Sequence, residues 1–319
     1  MPPAPSAPAA ALLCGEVRTR LLPARQALDI RTAAQFLGLR ADERVLLSER
    51  PNLYARSPDT LTGVDCPLPT AGGARTRAVG TVAARAALTE GRVLQASAHV
   101  TLAAAGPDRR RPWGEYLVRP GVAEPVGKLA PDAVADGVLG GGRHGDLDLG
   151  VIADGLLTRL LRHPLIDQCP PLRSRPTRLR WAALPAAPDE EPSIEFTLAE
   201  DQVRTVRLRV PEGTPAGDVA GLCDDLALHD WLLSTVVRLF DGIRPDTPAA
   251  LAALRPAVDH LLHLWMPRAR VTGTLAPLWD GLEDRPGFTR QWSALVQRIR
   301  DQLALHAIPS PHREAELTP

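Results

Sequence analysis

The sequence predicts an α+β protein, with a β-rich N-terminal part and a C-terminal part made of a small antiparallel sheet and a helical bundle. Segments that alternate apolar and polar residues recur through residues 11–148, around one long hairpin. Residues 149–319 hold a helix, three short segments of strand character and then helical periodicity. Residues 1–10 are rich in proline and alanine, which predicts a disordered tail. The two parts can share one core.

The first part begins with a strand, because LLCGEVRTRLL places apolar and polar residues on opposite faces. A short helix follows, in which Asp29 is the expected N-cap and Ala33, Phe36 and Leu37 face inward. The segment ERVLLSER, residues 43–50, predicts the next strand.

Residues 76–104 give the clearest supersecondary signal. Two alternating runs flank Thr89, Glu90 and Gly91, which predicts a hairpin with a glycine-containing turn. One face of this hairpin collects mostly small apolar side chains, so another element is expected to approach it closely. His99 falls on the opposite, polar face.

The second part starts with a helix over residues 149–162, ended by Pro164. The segments TRLRWAAL, SIEFTL and VRTVRLRV predict a three-stranded meander. Helices follow, and Thr214, Thr247 and Thr289 are candidate N-caps; proline follows the first two.

The composition is that of an ordinary globular protein. Of 319 residues, 45% are apolar and 23% are charged, and no apolar run reaches the ~18 residues of a membrane span. The formal net charge is zero, which disfavours binding to nucleic acid. The opening segment lacks the charged start of a secretion signal, so we expect a cytoplasmic protein without membrane contact.

The chain has no recognisable cofactor or metal motif. Its four cysteines are far apart, without Cys-x-x-Cys spacing. The segment GGGRHGDLDLG lacks the Gly-Lys-Ser/Thr ending of a phosphate loop and is interpreted as a linker. His260 and His263 fall opposite the apolar stripe of their helix and supply too few ligands for a metal. We therefore expect neither cofactor nor metal.

Asp225 and His229 are the candidate catalytic pair. They are four residues apart in a helical segment, a spacing at which side chains meet, whereas the adjacent Asp230 points elsewhere. A carboxylate beside a histidine can orient a general base, and it can equally satisfy a buried polar group. The structural interpretation is preferred: the imidazole faces the apolar core and the acid shields it. A catalytic role would need a third polar group such as His99, His163 or Asp154.

Candidate partner contacts are Trp231, Trp113, Tyr116 and Arg110. Trp231 lies on the polar side of its helix, so it either packs on a second element or is exposed as an interface anchor. The other three belong to DRRRPWGEYLVRPG, where arginines and aromatic residues alternate. This segment fits a solvated turn, a protein-contact surface or, least well in a neutral chain, a nucleic-acid site over residues 109–119.

Five segments together resemble an uncharacterised family of actinobacterial proteins. They are LTGVDCPL, RRRPWGEYLVRPGV, CDDLALHDWLL, LLHLWMP and RPGFTRQWSALVQRIRDQLAL. Members of that family are encoded beside other proteins, including one with a variant P-loop. The resemblance implies a cytoplasmic protein with a protein partner, for which a P-loop protein is one candidate, and implies no particular chemistry.

Three functions follow as hypotheses. The first is a non-catalytic interaction protein, a subunit or adaptor of a multi-component bacterial system. The second is a hydrolase that uses Asp225 and His229. The third is nucleic-acid binding through residues 109–119.

Overall fold

The structure is a computed structural model, and it describes residues 10–71, 76–104, 106, 110–241, 255 and 258–307. The tail predicted for residues 1–10 lies outside this part of the chain except for Ala10, which begins the first strand. The predicted cap at Thr247 also lies outside it.

Ten strands of the described residues form one mixed sheet. They are β1 (Ala10–Leu21), β2 (Leu46–Ser48), β3 (Tyr54–Arg56), β4 (Thr60–Pro67), β5 (Arg77–Thr89), β6 (Val93–Ala103), β7 (Val122–Val126), β8 (Thr177–Pro185), β9 (Ser193–Leu198) and β10 (Val203–Val210). Their order across the sheet is β2-β3-β5-β7-β6-β1-β8-β10-β9, and β4 also pairs with β5.

The helices cover both faces of this sheet. They are α1 (Ile30–Phe36), α2 (Trp113–Leu117), α3 (Pro131–Gly140), α4 (Leu149–Leu161), α5 (Ala216–Asp241), α6 (Ala276–Asp284) and α7 (Phe288–Ala307), with 3₁₀ turns at Leu262–Leu264 and Gly273–Leu275. Helices α1, α3 and α4 share a core with one face. Helices α5, α6 and α7 share a second core with the other face.

The α+β class is confirmed, but β8, β9 and β10 belong to the one large sheet and do not form the separate small antiparallel sheet that was predicted. Strand β8 pairs with β1, where Leu179 lies opposite Val17, so strands from both sides of residue 148 join in one sheet. Strand β10 runs parallel to β8, and β9 is antiparallel to β10. The residues of β8 explain the difference. Leu179 and Trp181 point to one core while Ala182 and Leu184 point to the other, so both faces of the strand need covering.

The predicted hairpin is confirmed as β5 and β6. Glu90 and Gly91 both adopt positive φ, 50° and 58°, which suits a tight turn between twisted strands. The small side chains of one face lie under α4, as the expected close approach requires. The polar face is also buried, because α5 lies across it, and Gln95, Ser97 and His99 are nearly inaccessible to solvent.

Three of the predicted helix caps, Asp29, Thr214 and Thr289, lie on described residues, and Asp29 alone of these three is confirmed. The Thr214 hydroxyl donates to the Pro211 carbonyl at 2.6 Å, and α5 begins at Ala216. Asp29 accepts a hydrogen bond from the Thr32 N–H at 2.8 Å and begins α1. The last helix begins at Phe288, and Thr289 does not cap it. The Thr289 N–H and hydroxyl instead donate to the Glu283 carboxylate.

Candidate functional site

Helix α5 carries the predicted catalytic pair along the face of the sheet. Its apolar residues surround nearly the whole helix, so 17 of its side chains are buried, among them Asp224, Asp225, His229 and Asp230. Buried carboxylates and imidazoles are costly unless other groups satisfy them. The partners of each group therefore define what it can do.

His229 is completely buried and both of its ring nitrogens are used. Nδ1 lies 2.7 Å from the main-chain oxygen of Asp225, and the Met266 N–H donates to Nε2 at 3.2 Å. This arrangement fits a neutral imidazole that carries its proton on Nδ1. The edges of Trp265 and Trp279 complete the surroundings, with ring centroids 5.0 and 5.6 Å away. His229 faces the core, and no ring nitrogen is open to a substrate.

Asp225 does not shield His229 in the expected way. Its carboxylate oxygen Oδ2 is 3.7 Å from Nδ1, beyond hydrogen-bond distance, and instead accepts from the Arg268 N–H at 3.1 Å. Burial raises the pKa of Asp225, although His229, Arg270 and the Arg268 N–H oppose the rise. The contact that orients His229 comes from the main chain of the helix, not from the acid.

A cleft lies beside Asp225, between the end of the sheet and α5. Its volume is about 250 Å³. Strands β2 and β3 and the paired β5 and β6 form its floor, α5 forms one wall, and the segment at residues 269 and 270 borders it. Its charged and aromatic lining comprises Tyr54, Arg56, Arg85, Asp224, Asp225 and Arg270, with Arg50 at the loop between β2 and β3.

Two of the cleft arginines are held in place by neighbours. Arg85 of β5 donates from Nη2 and Nε to Oδ2 of Asp224, at 2.8 and 3.2 Å. The Arg270 guanidinium lies 4.0 Å from the ring centre of Tyr54 and donates to Oδ1 of Asn52. These contacts fix two positive charges at the cleft.

A catalytic role for Asp225 and His229 would have needed a third polar group nearby, and His99, His163 and Asp154 do not provide one. Asp154 pairs with Arg18 on the opposite face of the sheet. His163 meets the Phe36 ring edge to face in the same layer. His99 lies on the α5 side, where its Nδ1 has no partner among the described residues. The sequence-predicted pair therefore contributes one residue, Asp225, to the cleft.

The four partner-contact candidates divide into two buried and two exposed residues. Trp231 is fully buried and its indole N–H donates to the Arg175 carbonyl at 3.0 Å, so it packs on a second element. Tyr116 is also buried, and its hydroxyl accepts from the Arg111 N–H. Neither can anchor a partner in this conformation. Trp113 remains exposed, with the Arg110 guanidinium 5.1 Å from its ring centre.

The arginines of residues 109–119 that the structure describes are matched by acids. Arg110 is 3.2 Å from Asp65, Arg111 is 3.4 Å from Glu115, and Arg119 contacts Glu124. A surface whose cations are already paired offers little excess charge to phosphates. This arrangement does not favour a nucleic-acid site.

Sequence reasoning missed Arg50, Arg56, Arg85 and Arg270 as one group. They come from segments up to 220 residues apart, and only the folded sheet brings them together. The sequence did contain one indication of this site. After Arg77, Arg85 is the single charged residue of β5, and most of the other side chains of that strand are small and apolar. A lone charge within a buried strand indicates a buried ionic partner or a site.

Comparisons with family models, curated proteins and solved structures found no match to this chain. Within the described ranges, no helix is both long enough and apolar enough to cross a bilayer. The same residues contain no group of three or more histidine, cysteine or acidic side chains placed to hold a metal ion.

Proposed function

We propose that this chain is a non-catalytic interaction protein, a cytoplasmic subunit or adaptor, which binds a protein partner through the surface around α2. This α2 surface consists of Leu61, Trp113, Leu117 and Val118. Their exposed fractions are 39%, 38%, 58% and 76%. The observation that carries the proposal is that four large apolar side chains are exposed on β4 and at α2, two elements that meet where Gly63 approaches Trp113.

The α2 surface is continuous with the edge of the sheet. Leu61 and Gly63 alternate onto one face of β4, and a Cβ added to Gly63 would lie 3.4 Å from the Trp113 ring. Among the described residues, β4 pairs only with β5, so its other edge is free to meet a partner strand. Trp113 beside an unpaired edge supports a protein partner, since tryptophan is a frequent interface anchor.

The buried environment of His229 supports a non-catalytic role over the hydrolase hypothesis. Both ring nitrogens already have partners, and a general base needs a free nitrogen within reach of its substrate. The resemblance described above adds a P-loop protein as the first partner to examine.

The test is purification of the chain from its native host, followed by size-exclusion chromatography with light scattering. We expect a stoichiometric complex that Val118→Asp disrupts. Val151→Asp is the matched control, because Val151 is 63% exposed on α4, away from the α2 surface. A chain that elutes alone, or a complex that survives Val118→Asp unchanged, contradicts the proposal.

A further inference from the structure

The cleft beside Asp225 carries an excess of positive charge. Arginines at positions 50, 56, 85 and 270 line it, against two acids, Asp224 and Asp225. Even with both acids ionised, the lining has a net charge of two positive units. A concave site with low-dielectric walls concentrates such a field on whatever enters it.

Two of these guanidiniums are uncommitted. In the described part of the chain, Arg50 and Arg56 form no ion pair and donate no side-chain hydrogen bond. Arg56 lies in β3 on the same face as Tyr54, so it is directed to the cleft by the register of the sheet. Arg85 and Arg270, which already have partners, contribute positive electrostatic potential to the cleft. Arg50 and Arg56 retain their N–H donors for a ligand.

We infer that this cleft binds the phosphate group of a small-molecule phosphate monoester. A phosphate dianion neutralises the two excess charges, whereas a carboxylate neutralises one. The planar fork of arginine donors matches phosphate oxygens. The cleft of about 250 Å³ is larger than a phosphate group alone and leaves room for the remainder of a small ester. This site is separate from the α2 surface and does not depend on it.

Gly221 provides a way to close the cleft without disturbing the fold. It lines the cleft from α5, and a Cβ built on it meets no heavy atom within 4 Å. A leucine at this position therefore projects into open space, and it also favours the helix over glycine. Gly217 lies one turn earlier on α5, has equally open surroundings and does not line the cleft. Gly217→Leu is the matched control.

The experiment is isothermal titration calorimetry with inorganic phosphate and with glycerol phosphate as probes. We expect both to bind and glycerol phosphate to bind more tightly. Gly221→Leu should abolish binding of glycerol phosphate, and Gly217→Leu should leave it unchanged. Equal binding by both variants, or no heat with either probe at millimolar concentration, overturns the inference.

A second variant tests the charge directly. Arg56→Gln removes an uncommitted guanidinium and should weaken binding of glycerol phosphate by at least about tenfold. Arg31→Gln removes the same charge from the exposed side of α1, in the opposite layer, and should change affinity less than about twofold. An unchanged affinity in Arg56→Gln overturns the assignment. A phosphoserine peptide that binds tenfold more tightly than glycerol phosphate overturns the choice of a small molecule.

Discussion

Acidification below neutral pH should destabilise this protein through His99 of β6. The imidazole is 6% exposed, and its Nδ1 has no partner among the described residues. Burial, and then the charges of Arg85 and Arg56, lower the pKa of His99 from 6.5 to about 3. The neutral form is therefore favoured in the folded state. As the pH falls from 6.5 towards 3, His99 takes up a proton in the unfolded state but not in the folded state. The free energy of unfolding therefore decreases progressively over this range and is unaffected by His99 above it.

The size of this effect follows from the difference between the folded and unfolded pKa of His99. The full difference corresponds to about 4–5 kcal/mol, of which about 2 kcal/mol is lost between pH 7.5 and pH 5. Urea unfolding followed by tryptophan fluorescence at these two pH values measures the loss. The variant His99→Gln cannot take up this proton, so its stability should change with pH by about 2 kcal/mol less than that of the wild type.

Exposed His263 gives the control for that measurement, because His263→Gln makes the same substitution at the surface of the protein. Carboxylates titrate in all three proteins, so the comparison between them isolates His99. A His99→Gln protein that loses as much stability as the wild type between pH 7.5 and 5 would refute the reasoning.

Substitutions at Gly15 and at Arg85 test packing and charge pairing on the α5 side of the sheet, and Gly155 on α4 is the control for Gly15. Gly15→Ala should lower the free energy of unfolding by about 1–3 kcal/mol, since the added Cβ would lie 2.4 Å from Cζ2 of Trp181. The Cβ of Gly155→Ala on α4 meets nothing within 4 Å, so this variant should be neutral or stabilised by up to ~1 kcal/mol, and urea unfolding measures both changes. Arg85→Met should cost about 3–5 kcal/mol, because it leaves Asp224 buried without its cation, and Arg85→Met combined with Asp224→Leu should recover most of that loss. A double-mutant cycle in urea checks the last pair, and simple additivity of the two changes would contradict it.

Local patterns predicted much of this fold. The alternation of residues 76–104 determines which side chains face each core, and a register error by one residue would reverse every one of them. The Glu90-Gly91 turn and the Asp29 cap depend on the conformational preferences of a few adjacent residues. Such interactions are contained within short segments, so the sequence reveals them directly.

Those local patterns could not predict which strands pair when they are far apart in the sequence. Nothing in the alternation of β1 specifies that Gly15 will lie opposite Trp181, 166 residues later, rather than beside another strand. That pairing merges the two predicted sheets and buries both faces. It also explains why Trp231, on the polar side of its helix, is buried against the segment around Arg175. The cleft arginines were missed for the same reason, as their neighbours are distant in sequence.

The buried charges of α5 fix the rotation of that helix above the sheet. Asp224 binds Arg85 of β5, Asp225 accepts from the Arg268 N–H, and Asp230 accepts from Arg204 of β10 at 2.8 Å. Turning the helix by one residue, about 100°, would separate all three acids from their partners at once, and each would then be buried and unsatisfied. An apolar helix surface by itself would tolerate several rotations, because hydrophobic burial is not directional. The same three contacts therefore determine that Gly221, which has no side chain, faces the cleft and leaves it open.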